Sequence, residues 1–74
     1  MEGIISIIEK DKLLQANIRL YAHVYEKGKM DSINYYKDLI LFRFQIHGIY
    51  LNPTLPKLYE LSYYLPIKEQ AHCL

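Results

Sequence analysis

The sequence predicts an all-α fold of three helices, built on a long antiparallel helical hairpin. Three observations support this class. Apolar residues recur at helical spacing in the first third of the chain, a glycine follows where that pattern ends, and an Asn-Pro pair separates two later apolar segments. We place the helices at about residues 3–27, 32–51 and 55–65, in one small domain that covers residues 1–74.

The first predicted helix is amphipathic. Gaps of three, four and seven residues place the following apolar residues on one stripe: Ile4, Ile7, Leu14, Ile18, Tyr21 and Tyr25. Gly28 stands where a left-handed residue would end the helix, and Lys27 is favourable at the negative end of the helix dipole. We therefore expect this helix to end at residue 27.

Two features depart from a simple one-faced helix. Asp11 falls inside the apolar stripe, where an ionised carboxylate needs either a partner or a route to water, and acidic residues are seldom fully buried. Leu13, Leu20 and Val24 form a second, smaller stripe that points elsewhere. Either the third segment wraps this broad face, or the second stripe is an interface, and we take it as the interface candidate.

The second predicted helix begins after a short connection, because Met30 precedes two competent N-cap residues, Asp31 and Ser32. From Ile33 onward, apolar residues cover most of the helix circumference. This pattern predicts a helix that is mostly buried.

A strand is the rival interpretation of the same segment, because residues 42–47 alternate apolar and polar with a period of two. As a strand, residues 39–51 would extend about 43 Å, which is far beyond the usual strand length. As a helix they would span about 20 Å and pair with the first helix. We predict the helix and keep an α+β fold, with residues 39–51 partly in a strand, as the alternative.

Arg43 and His47 lie four residues apart on the apolar side of this helix. In an antiparallel hairpin that turns near residues 29 and 30, Asp11 comes level with His47 or Gly48 and one turn from Arg43. One interpretation is a buried polar cluster of Asp11, Arg43 and His47 that fixes the register or responds to pH. In the other interpretation, Arg43 extends to solvent and His47 is an ordinary hydrogen-bonded core histidine.

The third predicted helix begins after Asn52-Pro53, with Thr54 as its cap and Pro56 early in its first turn. Its leucines repeat at helical spacing: Leu55, Leu58, Leu61 and Leu65. Pro66 interrupts the pattern, and residues 67–74 suffice for a short helical turn or an ordered tail, whose placement stays open.

Eight tyrosines are spread over all three predicted helices. Tyrosine can fill the outer shell of a small core while its hydroxyl reaches water, or it can anchor an interface. Neighbours in a helix point about 100° apart, so one member of each adjacent pair is hard to bury. From the pairs at residues 35–36 and 63–64, we expect Tyr35 and Tyr64 to be exposed.

Length and composition favour a protein partner. Hydrophobic residues make up 51% of only 74 residues, and a domain of this size buries about 60% of its unfolded surface. Self-association or a protein partner is therefore expected. The formal charge of +1 lacks the concentrated basic patch that nucleic acid requires. A lone cysteine, Cys73, and the lack of a signal-peptide pattern or membrane-length apolar run favour a cytoplasmic protein with no membrane association.

No motif for chemistry is present in the sequence. His72-Cys73 lacks an orienting third group, and the histidines and the cysteine show no metal-ligand spacing. The three glycines are isolated and form no phosphate-binding loop. We expect neither an enzyme nor a protein that holds a cofactor or a metal.

The function hypothesis is therefore a small non-enzymatic module for protein–protein interaction, which acts as a regulator, adaptor or inhibitor or forms a homodimer. Its partner-binding residues would be Leu13, Leu20, Val24, Tyr35 and Tyr64. The alternative is a small dimeric helix-turn-helix-like transcriptional regulator, with residues 68–73 as its recognition helix. Abundant Ile, Lys and Tyr beside scarce Arg are typical of an A+T-rich genome, such as that of a phage or another mobile element.

Overall fold

A computed structural model describes residues 3–65, and within that range all regular structure is helical. The elements in chain order are α1 (Ile4–Lys10), α2 (Lys12–Lys27), α3 (Met30–Ile46), α4 (Leu55–Tyr59) and a 3₁₀ helix (Glu60–Tyr64). The predicted all-α class and the hairpin of α2 and α3 are confirmed. The alternative with residues 39–51 partly in a strand is wrong, because α3 continues through Ile46.

Asp11 divides the predicted first helix into α1 and α2, so a continuous helix over residues 3–27 is a wrong prediction. Asp11 has extended backbone angles, and its carboxylate accepts a hydrogen bond from the Leu14 amide, which caps α2. Asp is a much better N-cap than mid-helix residue, so the chain breaks there. The buried Gln15 side chain donates to the carbonyl oxygens of Ile8 and Glu9 at the end of α1, at 2.7 and 3.3 Å.

Gly28 ends α2 as the sequence predicts, with a φ of 72°. The amides of Gly28 and Lys29 donate to the carbonyls of Tyr25 and Val24, which is the Schellman pattern. The connection to α3 is therefore shorter than predicted, and α3 begins at Met30 rather than at residue 32. Asp31 lies in the first turn, where it complements the helix dipole without acting as the cap.

Gly48 ends α3 in the same way, so the predicted extension of this helix to residue 51 is wrong. Its φ is 83°, and the amides of Gly48 and Ile49 donate to the carbonyls of Gln45 and Phe44. Both arms of the hairpin thus end in a left-handed glycine.

The last described segment begins as predicted. Thr54 caps α4 by accepting a hydrogen bond from the Lys57 amide, and a proline occupies the first turn. The helix tightens to 3₁₀ form after Tyr59, where the Ser62 hydroxyl donates to the Tyr59 carbonyl. Leu65 is extended, as expected for a residue that precedes proline. The prediction for residues 67–74 lies outside the described residues.

The core is centred on α2, which contacts α1, α3, α4 and the 3₁₀ helix. The Tyr21 hydroxyl donates to the Leu55 carbonyl at 2.7 Å and fastens α4 to α2. The buried apolar cluster consists of Ile7, Ile8, Leu14, Ile18, Tyr21, Val24, Ile33, Ile40, Phe44, Leu58 and Leu65. The prediction that the second helix is mostly buried is wrong, because α3 buries only Ile33, Ile40 and Phe44.

Stacked tyrosines extend this core on the α4 side. The Tyr25 ring lies between those of Tyr21 and Tyr59, with centroid distances of 6.1 and 4.6 Å, and Tyr63 meets Tyr59 edge to face. The Tyr59 hydroxyl bonds the Glu26 carboxylate, which raises the pKa of Tyr59 to about 12. Tyr25, Tyr59 and Tyr63 thus form an outer shell beside Tyr21, which belongs to the core.

Candidate functional site

The structure brings Asp11, Arg43 and His47 together at the open end of the hairpin. One carboxylate oxygen of Asp11, Oδ2, lies 2.7 Å from Arg43 Nε and 2.7 Å from His47 Nε2. Its other oxygen, Oδ1, accepts from the Leu14 amide at 3.1 Å. An ionised carboxylate only accepts hydrogen bonds, so His47 donates from Nε2. We refer to these three side chains as the Asp11 network.

The carboxylate of this network is buried, while its partners reach the surface. The Asp11 side chain is 5% exposed, against 31% for Arg43 and 32% for His47. The solvent-reaching interpretation of Asp11 is therefore wrong, and the cluster is buried only at its acidic centre. Burial alone would raise the pKa of Asp11. The hydrogen bonds from Arg43, His47 and the Leu14 amide, with the charge of Arg43, more than offset burial and hold that pKa well below its usual value.

A shallow cleft of about 410 Å³ surrounds the network, lined by Lys10, Asp11, Lys12, Leu13, Arg43 and His47. The carboxylate in this cleft is hydrogen-bonded at both oxygens and has a lowered pKa. A group in that state is a weak proton acceptor near neutral pH. The arrangement is suited to joining the α1–α2 junction to the end of α3.

The predicted interface stripe on α2 is only partly available. Leu13 and Leu20 are exposed, at 53% and 46%. Val24 is 8% exposed and packs in the core cluster, so its assignment as a partner-binding residue is wrong. Val24 lies in the last turn of α2, near the close of the hairpin. Of the three residues of this stripe, only Leu13 and Leu20 are exposed.

Both tyrosines that were expected to be exposed are exposed. Tyr35 is 62% exposed and packs edge to face on its neighbour Tyr36, at a centroid distance of 5.1 Å. Tyr64 is exposed as well, but Tyr63 is more so, because the 3₁₀ helix leaves both side chains outside the core.

A larger exposed surface lies on the outer face of α3, where the apolar pattern of the sequence predicted burial. Its four members are separated by four, three and four residues and share one side of the helix: Tyr35, Leu39, Phe42 and Ile46. Leu39 is half-buried and the other three are exposed. We call these four residues the outer stripe. The spacing was visible in the sequence, but it was merged there with the buried stripe on the opposite side.

Residues 3–65 contain no group of three or more His, Cys, Asp or Glu side chains placed to hold a metal ion. In the same range no helix is long and apolar enough to cross a membrane. Both the His72-Cys73 pair and the recognition helix of the helix-turn-helix alternative lie outside the described residues.

No protein-family model matches the chain, and neither a curated protein nor a solved structure matches it.

Proposed function

We propose that this protein is a small non-enzymatic protein-binding module, which acts as a regulator, adaptor or inhibitor by pairing one helix face with a protein partner or with itself. The observation that carries the proposal is the outer stripe of α3. A helix that is apolar on two opposite sides is normally covered on both, and α3 packs mainly on α2.

The size of the outer stripe supports a specific contact. Phe42 and Tyr35 are 63% and 62% exposed, and Ile46 also lies open. With aromatic side chains offering about 150–250 Å² each when fully exposed, the stripe presents on the order of 400 Å² of apolar surface. Exposed patches of roughly this size on monomers are often functional. Phe42, near its centre, is an aromatic residue of the kind that often dominates binding energy at interfaces.

The nature of the partner surface follows from the stripe. A row of apolar side chains at spacings of four, three and four fits a groove or another helix, as in helix-in-groove recognition. Asp31 and Asp38 flank the row on one side and favour a partner with basic residues at its rim. The exposed pair Leu13 and Leu20 on α2 offers a second, smaller contact.

The proposal includes a cytoplasmic location, which the single cysteine in 74 residues supports. It also includes an origin in a phage or another mobile element, for which the A+T-rich residue usage is the support.

Capture of proteins from an extract of the source cells tests the proposal, with Phe42→Asp compared against Leu20→Asp. Both positions are exposed, so both variants should fold, and circular dichroism checks this. Any protein that the wild type retains is then purified and titrated against both variants by calorimetry. We expect Phe42→Asp to lose at least about tenfold in affinity, and Leu20→Asp to lose little. Equal binding by wild type and Phe42→Asp would reject the outer stripe, and loss with Leu20→Asp alone would move the site to α2.

A further inference from the structure

We infer that the occupant of the outer stripe is a second copy of this chain, with the two α3 helices packed side by side and parallel. This inference rests on the proposed function, because it names the partner of the same face. It is drawn from the spacing of the stripe, the charges at its edges and the area it offers.

The spacing of the outer stripe is that of a heptad repeat. Leu39 and Ile46 occupy its a positions, and Tyr35 and Phe42 its d positions. A helix with such a seam packs against an identical seam, and the same patch then serves on both copies, as a two-fold interface requires. The opposite side of α3 carries the buried residues Ile33, Ile40 and Phe44, so pairing leaves the monomer fold unchanged.

The charges at the two edges of the stripe select the parallel orientation. Asp38 stands at a g position on one edge, and Arg43 stands at the e position five residues later on the other edge. In a parallel pair, each g residue faces the following e residue of the other helix. Asp38 of each copy would therefore face Arg43 of the other. An antiparallel pair would instead bring the g edges of the two helices together. Asp38 would then lie on the same edge as the like-charged Asp38 of the other copy.

Arg43 is able to serve both contacts. It binds Asp11 through Nε at 2.7 Å, and its side chain is 31% exposed, so the residue reaches the surface. The planar fork of an arginine can bind two carboxylates in different directions. The Asp11 network would thereby hold Arg43 in place for the second copy.

The available area indicates a weak dimer. The stripe offers on the order of 400 Å² per copy, whereas a standard stable interface buries about 800 Å² per partner. Polar residues at the edges would supply part of the difference. We expect a dimer that dissociates on dilution.

Sedimentation velocity on the purified full chain over a wide concentration range tests the inference. The wild type should shift from monomer to dimer as the protein concentration rises. Phe42→Asp and Tyr35→Asp should each stay monomeric, whereas Ile5→Asp, which changes an exposed apolar residue on α1, should dimerise like the wild type. Asp38→Lys should weaken dimerisation several-fold, because it places a lysine opposite Arg43 of the other copy. Circular dichroism confirms that each variant is folded.

A wild type that stays monomeric at every concentration would overturn the inference, as would a dimer that survives in Phe42→Asp. An unchanged dimer in Asp38→Lys would overturn the parallel arrangement. The results of this experiment and of the capture experiment together distinguish failure of self-pairing from failure of the proposed function. If the pure protein is monomeric but Phe42→Asp loses a captured partner, self-pairing falls and the proposed function stands; if neither effect is seen, both fall.

Discussion

The two long helices α2 and α3 differ in how their apolar residues are covered. α2 lies in the middle of the fold and contacts every other described helix, and its main apolar stripe is buried, although Leu13 and Leu20 stay exposed. α3 has apolar residues on two opposite sides, while the fold covers the side with Ile40 and Phe44 and leaves Phe42 open. The number of neighbouring helices, more than the apolar content of a helix, decides how much of it is buried.

The same difference explains why the apolar pattern of α3 wrongly predicted a mostly buried helix. Apolar residues around the whole circumference predict burial only if there is enough protein to provide cover. Within residues 3–65, α2 is the one other long helix that can pack beside α3. The second apolar side of α3 is therefore left exposed.

Phe44→Ala gives the largest expected effect and tests the inner side of α3. Phe44 is fully buried, so its truncation should cost about 3–5 kcal/mol of unfolding free energy. In a small domain with a marginal core, that loss should leave the chain largely unfolded. Urea denaturation followed by circular dichroism measures it. A loss below about 1 kcal/mol would mean that α3 is not anchored by this side.

Asp11→Asn tests how the end of α3 is attached to α2. Asn still caps a helix, so the change removes mainly the charge that Arg43 and His47 bind. The loss at neutral pH should be about 2 kcal/mol. A change within about 0.5 kcal/mol would show that the Asp11 network contributes nothing to stability.

The pH dependence of this variant supplies an independent check. The pKa of Asp11 is lower in the folded chain than in the unfolded chain, so the unfolded state binds more protons as the pH falls. The stabilisation from Asp11 is therefore complete above the unfolded value near 3.9 and is lost as the pH falls below it. The difference in stability between wild type and Asp11→Asn should shrink in acid, as measured by denaturation at several pH values.

Tyr21→Phe tests the other side of α2, where α4 is attached. The change removes the hydrogen bond to the Leu55 carbonyl and should cost about 1 kcal/mol. Burial, and to a lesser extent the neighbouring Tyr25, raises the pKa of Tyr21 to about 12. Because this pKa lies above that of the unfolded chain, the wild type should lose stability from about pH 10 upward, and the variant should lose less. Identical alkaline denaturation curves would contradict this assignment.

Phe42→Ala should have the smallest effect and is the matched control for Phe44→Ala. Phe42 is 63% exposed, so the stability of the monomer should change by no more than about 0.5 kcal/mol. The measurement is made at a protein concentration where the wild type does not associate. A loss comparable to that of Phe44→Ala would remove the distinction between the two sides of α3.

The sequence was informative where one residue type has one strong preference. Helical periodicity indicated the fold class, Gly28 marked the end of α2, and Thr54 marked the start of α4. The register of the hairpin, combined with polar residues in apolar surroundings, was sufficient to predict that Asp11 lies beside His47.

The errors arose where a residue had two roles. Asp11 was treated as a defect within a helix, although a helix cap accounts for its position, and Gly48 was not given the role assigned to Gly28. Val24 was placed on the exposed side of α2 because periodicity cannot say which flank a neighbouring helix covers. The two sides of α3 were merged because helical spacing reveals stripes but not the number of helices available to cover them.

The Asp11 network also bears on how the fold opens. At one end, α2 and α3 are joined through Gly28 and Lys29, and at the other end Asp11 holds Arg43 and His47. Because the Asp11 network fastens the end of the hairpin opposite the Gly28 turn, that end should not fray one residue at a time. The last turn of α3 should instead open together with the rest of the fold. Amide protons there should exchange with solvent nearly as slowly as those at the centre of α2, and Asp11→Asn should speed up their exchange first.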